Sequence, residues 1–199
     1  MRATTTYSKG TPIVDQLTRA GIDPHHLMGV VLTHAHWDHV SGVDDLRDVP
    51  VFVTQKELDF IRSDNVAAAL IHGFGSLAYK VYDFPDGPFL GFERSYDLFG
   101  DGSVVIVPAG GHTPGSVIAF VTMPEGRRYA LIGDIAWQSE GVDIPAERPW
   151  LLRKLADVDE DAVRTVLVRL HQLKARYTDL AIVPAHDERV WATLPTLGI

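Results

Sequence analysis

A chain of 199 residues with 26 acidic against 18 basic side chains, a formal net charge of −8, lacks the basic balance that broad nucleic-acid binding needs. It contains no cysteine, which excludes disulfides and thiolate metal ligands, and no apolar run reaches the length of a membrane span or forms a signal-peptide core. The length fits one domain with a substantial core, and the cytoplasm is the default location.

Residues 1–10 are polar and without period, a loose lead-in, so the domain is expected over 11–199. Thr11 and Pro12 signal a helix start, as N-cap and first helical residue, and Gly21 ends that helix before a turn at Asp23-Pro24. Residues 27–33 form an apolar run expected as a buried strand. A short helix near 41–47 leads to a second strand at 51–54, and Thr54-Gln55-Lys56-Glu57 is a capping box opening a helix to about Arg62. Residues 63–95 are the least regular, with a short helix at 65–72 and a strand at 79–82. Phe74 and Phe89, in the loops around them, are candidates for substrate contact, with local packing as the alternative.

Two hairpins follow, 96–99 with 103–107 about Gly100-Asp101-Gly102, and 116–122 with 128–132 about Pro124-Glu125-Gly126. Residues 135–157 read as one long loop holding Trp137, a further candidate for substrate contact. Asp159 can cap the best helix of the chain, with Val163, Val166, Leu167, Leu170 and Leu173 at helical spacing, and residues 177–184 form the last strand. The pattern is mixed α+β, two sheets with helices on the outside.

Directly after the first apolar run stands Thr33-His34-Ala35-His36-Trp37-Asp38-His39. Three of the nine histidines and one carboxylate lie within six positions, residue types that suit zinc and similar metals. In extended backbone His34, His36 and Asp38 share one face; His39 breaks that parity, so the chain must turn there for all four to converge. A chance cluster on a surface loop is the alternative. Downstream, His112 in Gly110-Gly111-His112-Thr113-Pro114-Gly115, Asp134 in Ile132-Gly133-Asp134, and His186 in Val183-Pro184-Ala185-His186-Asp187 each follow an apolar strand. Taken singly, Asp134 reads equally as a cap and His186 as a surface residue. Four strands that each end in His or Asp where a loop begins point to a site along one sheet edge. His25, His26, His72 and His171 lack that context, and Asp187 either supports His186 or caps a short helix.

Taken in order, His34-x-His36-x-Asp38-His39, His112 in Gly-His-Thr-Pro-Gly, Asp134 and His186 resemble the metallo-β-lactamase superfamily, over about residues 11–190. The resemblance implies an αββα sandwich and two metal sites. His34, His36 and His112 would form one, Asp38, His39 and His186 the other, and Asp134 would bridge them. Such a ligand set suits two zinc ions, with iron or manganese as alternatives. Two ions sharing a bridging water would lower its pKa from about 15.7 toward ~7, and the hydroxide would attack a lactone, ester, thioester or amide carbonyl. Asp38 would be the catalytic residue that orients this nucleophile or shuttles its proton.

The layout is nearest to the acyl-homoserine-lactone lactonase-like branch, through Gly-His-Thr-Pro-Gly, the long loop after Asp134, the amphipathic helix and Pro-Ala-His-Asp. It departs at Trp137, where that branch often has a tyrosine. It departs also at the start: only about ten residues precede Thr11, so part of the first sheet is expected to be missing. An unpaired edge there would favour association, as in a homo-oligomer, or instability. The partners expected are thus a small-molecule substrate and a second copy, not nucleic acid or a membrane. The alternative function is an N-terminally truncated metal-binding domain, catalytically weak or active only in an oligomer.

Overall fold

The computed structural model describes residues 12–195, so the lead-in and Thr11 lie outside the described residues. Helix α1 spans Ile13–Arg19 with Pro12 in the N-cap position, one residue later than the sequence signal predicts. A 3-10 turn at Pro24–His26, capped by the Asp23 carboxylate, then leads to strand β1. This strand is only Val30–Val31, far shorter than the predicted 27–33. The reason lies in a change of partner. Leu32 N–H still donates to the Phe52 carbonyl at 3.3 Å, but the next carbonyl, Thr33, accepts from Val117 of the other sheet at 2.9 Å.

Strands β2 (Val51–Thr54) and β3 (Tyr79–Tyr82) complete a parallel three-stranded sheet in the order β1-β2-β3. Parallel neighbours require crossovers, and helices supply them. Helix α2 (Trp37–Val40) and a 3-10 turn at Val43–Leu46 lie between β1 and β2; α3 (Gln55–Ile61) and α4 (Ala69–His72) lie between β2 and β3. Their apolar faces, Val40, Leu58, Ile61 and Ile71 among them, form one core with Val51 and Val53.

The second sheet runs β4 (Tyr96–Asp97), β5 (Val104–Pro108), β6 (Val117–Thr122), β7 (Arg128–Leu131) and β8 (Leu180–Val183) in that spatial order. The first turn is fixed as its glycines predict: Gly100 and Gly102 take φ of 71° and 75°, and the Asp97 carboxylate accepts from both of their N–H groups. Strands β5 and β7 both oppose β6, and β8 runs parallel to β7. The C-terminal ends of β5, β7 and β8 therefore open on one edge of the sheet.

Two further helices, α5 (Glu140–Asp143) and α6 (Trp150–Ala156), occupy residues 135–157, where the sequence reads as loop throughout. Helix α6 buries none of its residues and has no side-chain cap, so neither signal of a helix was there to read. Helix α7 (Glu160–Arg176) matches its prediction: Asp159 accepts from Ala162 N–H at 3.0 Å, and all five of its spaced apolar residues are buried. They pack with Ile118, Phe120 and Ile132 of the second sheet, each such residue gaining about 1.5–3 kcal/mol by leaving water. A last short helix, α8 (Glu188–Trp191), is capped by Asp187. No helix among the described residues is long and apolar enough to cross a membrane.

Candidate metal centre

The change of partner after Leu32 frees the backbone of residues 33–36 from the first sheet, and α2 begins at Trp37. The extended stretch carries His34 and His36, and the first turn of α2 carries Asp38 and His39, which is the bend the parity argument requires. His112 stands in the loop after β5, Asp134 just past β7 and His186 just past β8. All seven predicted residues meet at this edge. One ligand atom each from His34, His36 and His112 lie within 4.8 Å of one another; the same holds for Asp38, His39 and His186, and for His34, His39 and Asp134. Asp134 lies between the groups. Its Oδ1 is 3.1 Å from His39 Nε2 and 3.2 Å from His186 Nε2, and its Oδ2 is 3.6 Å from His112 Nε2.

Burial sharpens the chemistry. His34, His112 and Asp134 are almost wholly buried, yet Nε2 of His34, His39 and His112 and Oδ1 of Asp134 have no hydrogen-bond partner. A buried polar atom left so costs about 1–3 kcal/mol, which proteins seldom tolerate without a purpose. Four such atoms, nitrogen and oxygen only and pointed at one place, fit a coordinated divalent cation. Burial, helped by the neighbouring His39 and His112, holds the His34 imidazole well below 6.5; burial and His112 hold His36 at about 4. Both are therefore neutral at pH 7, the form that binds metal. Burial alone would raise the Asp134 carboxyl, but the imidazoles of His186 and His39 close against it outweigh that and hold it far below its ordinary value. The same contact with Asp134 raises His186.

A second set of side chains, which the sequence reading missed, holds these in place. Asp157 Oδ1 accepts from His112 Nδ1 at 2.9 Å, which leaves Nε2 turned toward the other imidazoles. Arg148 grips the same carboxylate at 2.7 and 2.9 Å, donates to the backbone carbonyl of Asp134 and lies 4.6 Å over the Trp137 ring. The His112 loop itself rests on the start of α7. Gly111 takes φ of 144°, and a Cβ there would lie 2.8 Å from Val163 N, so only glycine fits. Glu57 braces the motif from the other side. Burial pushes its carboxyl up from 4.5, while donors from Thr113, Ala35 and Gly115 pull it back. The sequence signal at Glu57 was half right: Thr54 Oγ1 accepts from Glu57 N–H at 3.1 Å, but the carboxylate does not return to Thr54.

The Asp157 contact makes a measurable difference. Asp157→Asn is expected to weaken the binding of added zinc at His34, His36 and His112 by about 10–100-fold in a chelator competition, because a neutral amide is a poorer acceptor for the His112 Nδ1–H than the carboxylate. Unchanged affinity would mean that His112 is oriented by its loop alone.

Above these residues opens a cavity of about 820 Å³, walled by Trp137, Ile135, Ile144, Arg148, Pro149 and Ala156 with His36, His112, Asp134 and His186 at its floor. Of the three aromatics singled out in the sequence, Trp137 lines this cavity, and its indole N–H donates to Asp134 Oδ2 at 2.9 Å. Phe74 and Phe89 do not reach it. Phe74 is buried in the core of the first sheet, and Phe89 packs on the other core with its ring 5.4 Å from Phe120. Both loop aromatics are taken up by the cores, the local-packing alternative that the sequence left open. Of the remaining four histidines, His72 bonds the Ile61 carbonyl and His171 Nδ1 lies 3.0 Å from the Val142 carbonyl, while His25 and His26 are exposed beside Asp48 and Asp23. Asp187 serves as the cap of α8 and accepts from the Ser139 N–H and hydroxyl, tying α8 to the loop after Asp134.

Comparison with known proteins agrees with this arrangement. The profile of the metallo-beta-lactamase superfamily matches residues 4–186. A "probable metallo-hydrolase" of Mycobacterium bovis is 32% identical over 86% of the chain, and an N-acyl homoserine lactonase, AttM, of Rhizobium radiobacter is 26% identical over 90%. The chain spans 58% and 65% of the length of these two relatives. Among solved structures, a mutant of AiiA from B. thuringiensis with N-decanoyl-L-homoserine at its active site superposes with a TM-score of 0.70 at 20% identity, covering 92% of this chain and 65% of that one. An N-acyl homoserine lactone hydrolase with N-hexanoyl-L-homoserine at its catalytic metal center gives a TM-score of 0.71 at 19% identity, with coverage of 92% and 65%. The motif order, the two sheets and the match over most of its length leave one assignment: the chain belongs to the metallo-beta-lactamase superfamily.

Proposed function

We propose that this chain is a metal-dependent hydrolase with a dinuclear zinc centre that cleaves a small carbonyl substrate, a lactone before an ester or thioester. The observation that carries the reading is the convergence of seven His and Asp side chains, four of their buried atoms without a partner, with His36, Asp38, His112, Asp134 and His186 of the seven lining one cavity. His34, His36 and His112 would hold one ion, Asp38, His39 and His186 the other, with Asp134 shared. Bound there, such ions supply Lewis acidity and acidified water at neutral pH.

The rest is the work of the chain's own groups. Asp38 is the one carboxylate of the motif that remains partly open to solvent, with Oδ2 3.4 Å from His186 Nε2. It is suited to orient a nucleophile and to pass its proton outward. Asp134, held ionised, cannot serve as a general acid. The walls of Ile135, Ile144, Pro149 and Ala156 are apolar and suit an apolar substituent on the substrate. Lactone opening is favoured over the other carbonyl classes by the lactonases among the relatives, whose substrates are N-acyl homoserine lactones.

Zinc-loaded protein presented with acyl-homoserine lactones, simple esters and thioesters tests this. Lactone opening at a kcat/KM of about 10⁴ M⁻¹s⁻¹ or above is the expected result. Turnover of esters or thioesters alone would move the chain to another branch. Two bound ions without any turnover would leave a metal-binding domain that is inactive by itself.

A further inference from the structure

A buried carboxylate outside the seven metal-site residues joins the two loops that carry His34, His36 and His112. Glu57 is 1% exposed, and both of its oxygens are engaged. Oε1 accepts from Ala35 N–H at 2.6 Å; Oε2 accepts from the Thr113 hydroxyl at 2.7 Å and from Gly115 N–H at 3.0 Å. Ala35 lies between His34 and His36, and Thr113 directly follows His112. One side chain therefore holds the peptide between two candidate ligands and the residue after the third.

These two loops leave different sheets, β1 of the three-stranded sheet and β5 of the five-stranded one, so neither strand ladder fixes their separation. The corner between β2 and α3 is wedged against both. Thr54 Oγ1 donates to the Gly115 carbonyl at 3.2 Å, and a Cβ on Gly115 would lie 2.3 Å from Glu57 N. The corner has no room to drift. A neutral side chain of the same shape cannot replace the carboxylate, since three donors face two acceptor oxygens and an amide offers only one.

We propose that Glu57 is a positioning residue that sets the spacing of His34, His36 and His112, and with it the affinity of the ion they hold. This rests on the metal-centre reading above. It assigns no role to Glu57 at the group formed by Asp38, His39 and His186, whose peptides it does not touch among the described hydrogen bonds.

The test is a zinc titration against a chromogenic chelator on the full chain, with the metal-free melting temperature recorded for each variant. Glu57→Gln is expected to weaken one of the two ions by about 10–100-fold and to leave the other within about threefold of the parent. Cobalt-loaded protein should show altered visible band intensities for the affected ion only. Two affinities within about threefold of the parent would overturn the proposal, and so would an equal loss of both in step with a lower melting temperature, the behaviour of a plain structural brace. Should the Gln variant fail to fold, Thr113→Val, which removes one of the three donors, decides the matter by the same site-selective loss or its absence. A parent protein that takes up no zinc would refute the metal centre itself and this inference with it.

Discussion

Asp134→Ala is expected to lower kcat/KM of the zinc-loaded protein by roughly a thousandfold or more and to leave it unable to hold two ions together. A metal ion at a carbonyl supplies several kcal/mol of transition-state stabilisation, and about 1.36 kcal/mol is a tenfold change in rate. Asp134 is the carboxylate that approaches histidines of both groups, through Oδ1 to His39 and His186 and through Oδ2 to His112. His36→Ala and Asp38→Ala, by contrast, each strike one group and should each cost one ion. Metal content by elemental analysis and initial rates on a lactone measure all three. Two ions and parental rates in Asp134→Ala would place the centre elsewhere. The variant has a second signature in the metal-free protein: the His186 pKa, raised by Asp134, should fall back toward its ordinary value.

Removing the metal is expected to lower the melting temperature and to expose a dependence on pH. A ligand at about a thousand times its Kd stabilises the folded state by about 4 kcal/mol per site, or roughly 8–16 °C for a chain of this size. In the chelated protein, His34 and His36 have folded-state pKa values below those of the unfolded chain. As the pH falls below about 6.5 the unfolded chain takes up two protons that the folded chain refuses, until His36 titrates at about 4. Stability is thus lost from pH 6.5 downward. The slope is at most about 2.7 kcal/mol per pH unit, and less in practice because water screens half-buried His36. His186 acts the other way: its folded pKa is raised, so its contribution is lost as the pH rises through that value, above the window in question. Urea titrations of chelated protein at pH 7, 6 and 5 give the comparison. A midpoint that does not move would mean that the two histidines are not held neutral by burial.

What the sequence by itself determined was whatever is local or periodic. Helix α7 was legible from five apolar residues and Asp159, because an amphipathic face and a cap are written within one segment. The two hairpins were legible from their glycines. The seven residues of the candidate centre were legible because each stands where an apolar run ends, and a strand end is a fixed point in any two-sheet fold. Tertiary structure decided the rest. It cut the first strand to Val30–Val31 by giving the Thr33 carbonyl to Val117, a partner 84 positions away. It folded Phe74 and Phe89 into the cores and left Trp137 on the cavity. It gave Glu57, Arg148 and Asp157 their contacts with the site, across 22 to 58 positions for Glu57 and 45 for Asp157. A carboxylate or guanidinium has no periodicity that foretells its partner. Its role follows from which donors the packed sheets bring within 3 Å, and that distance exists only once both sheets have closed on each other.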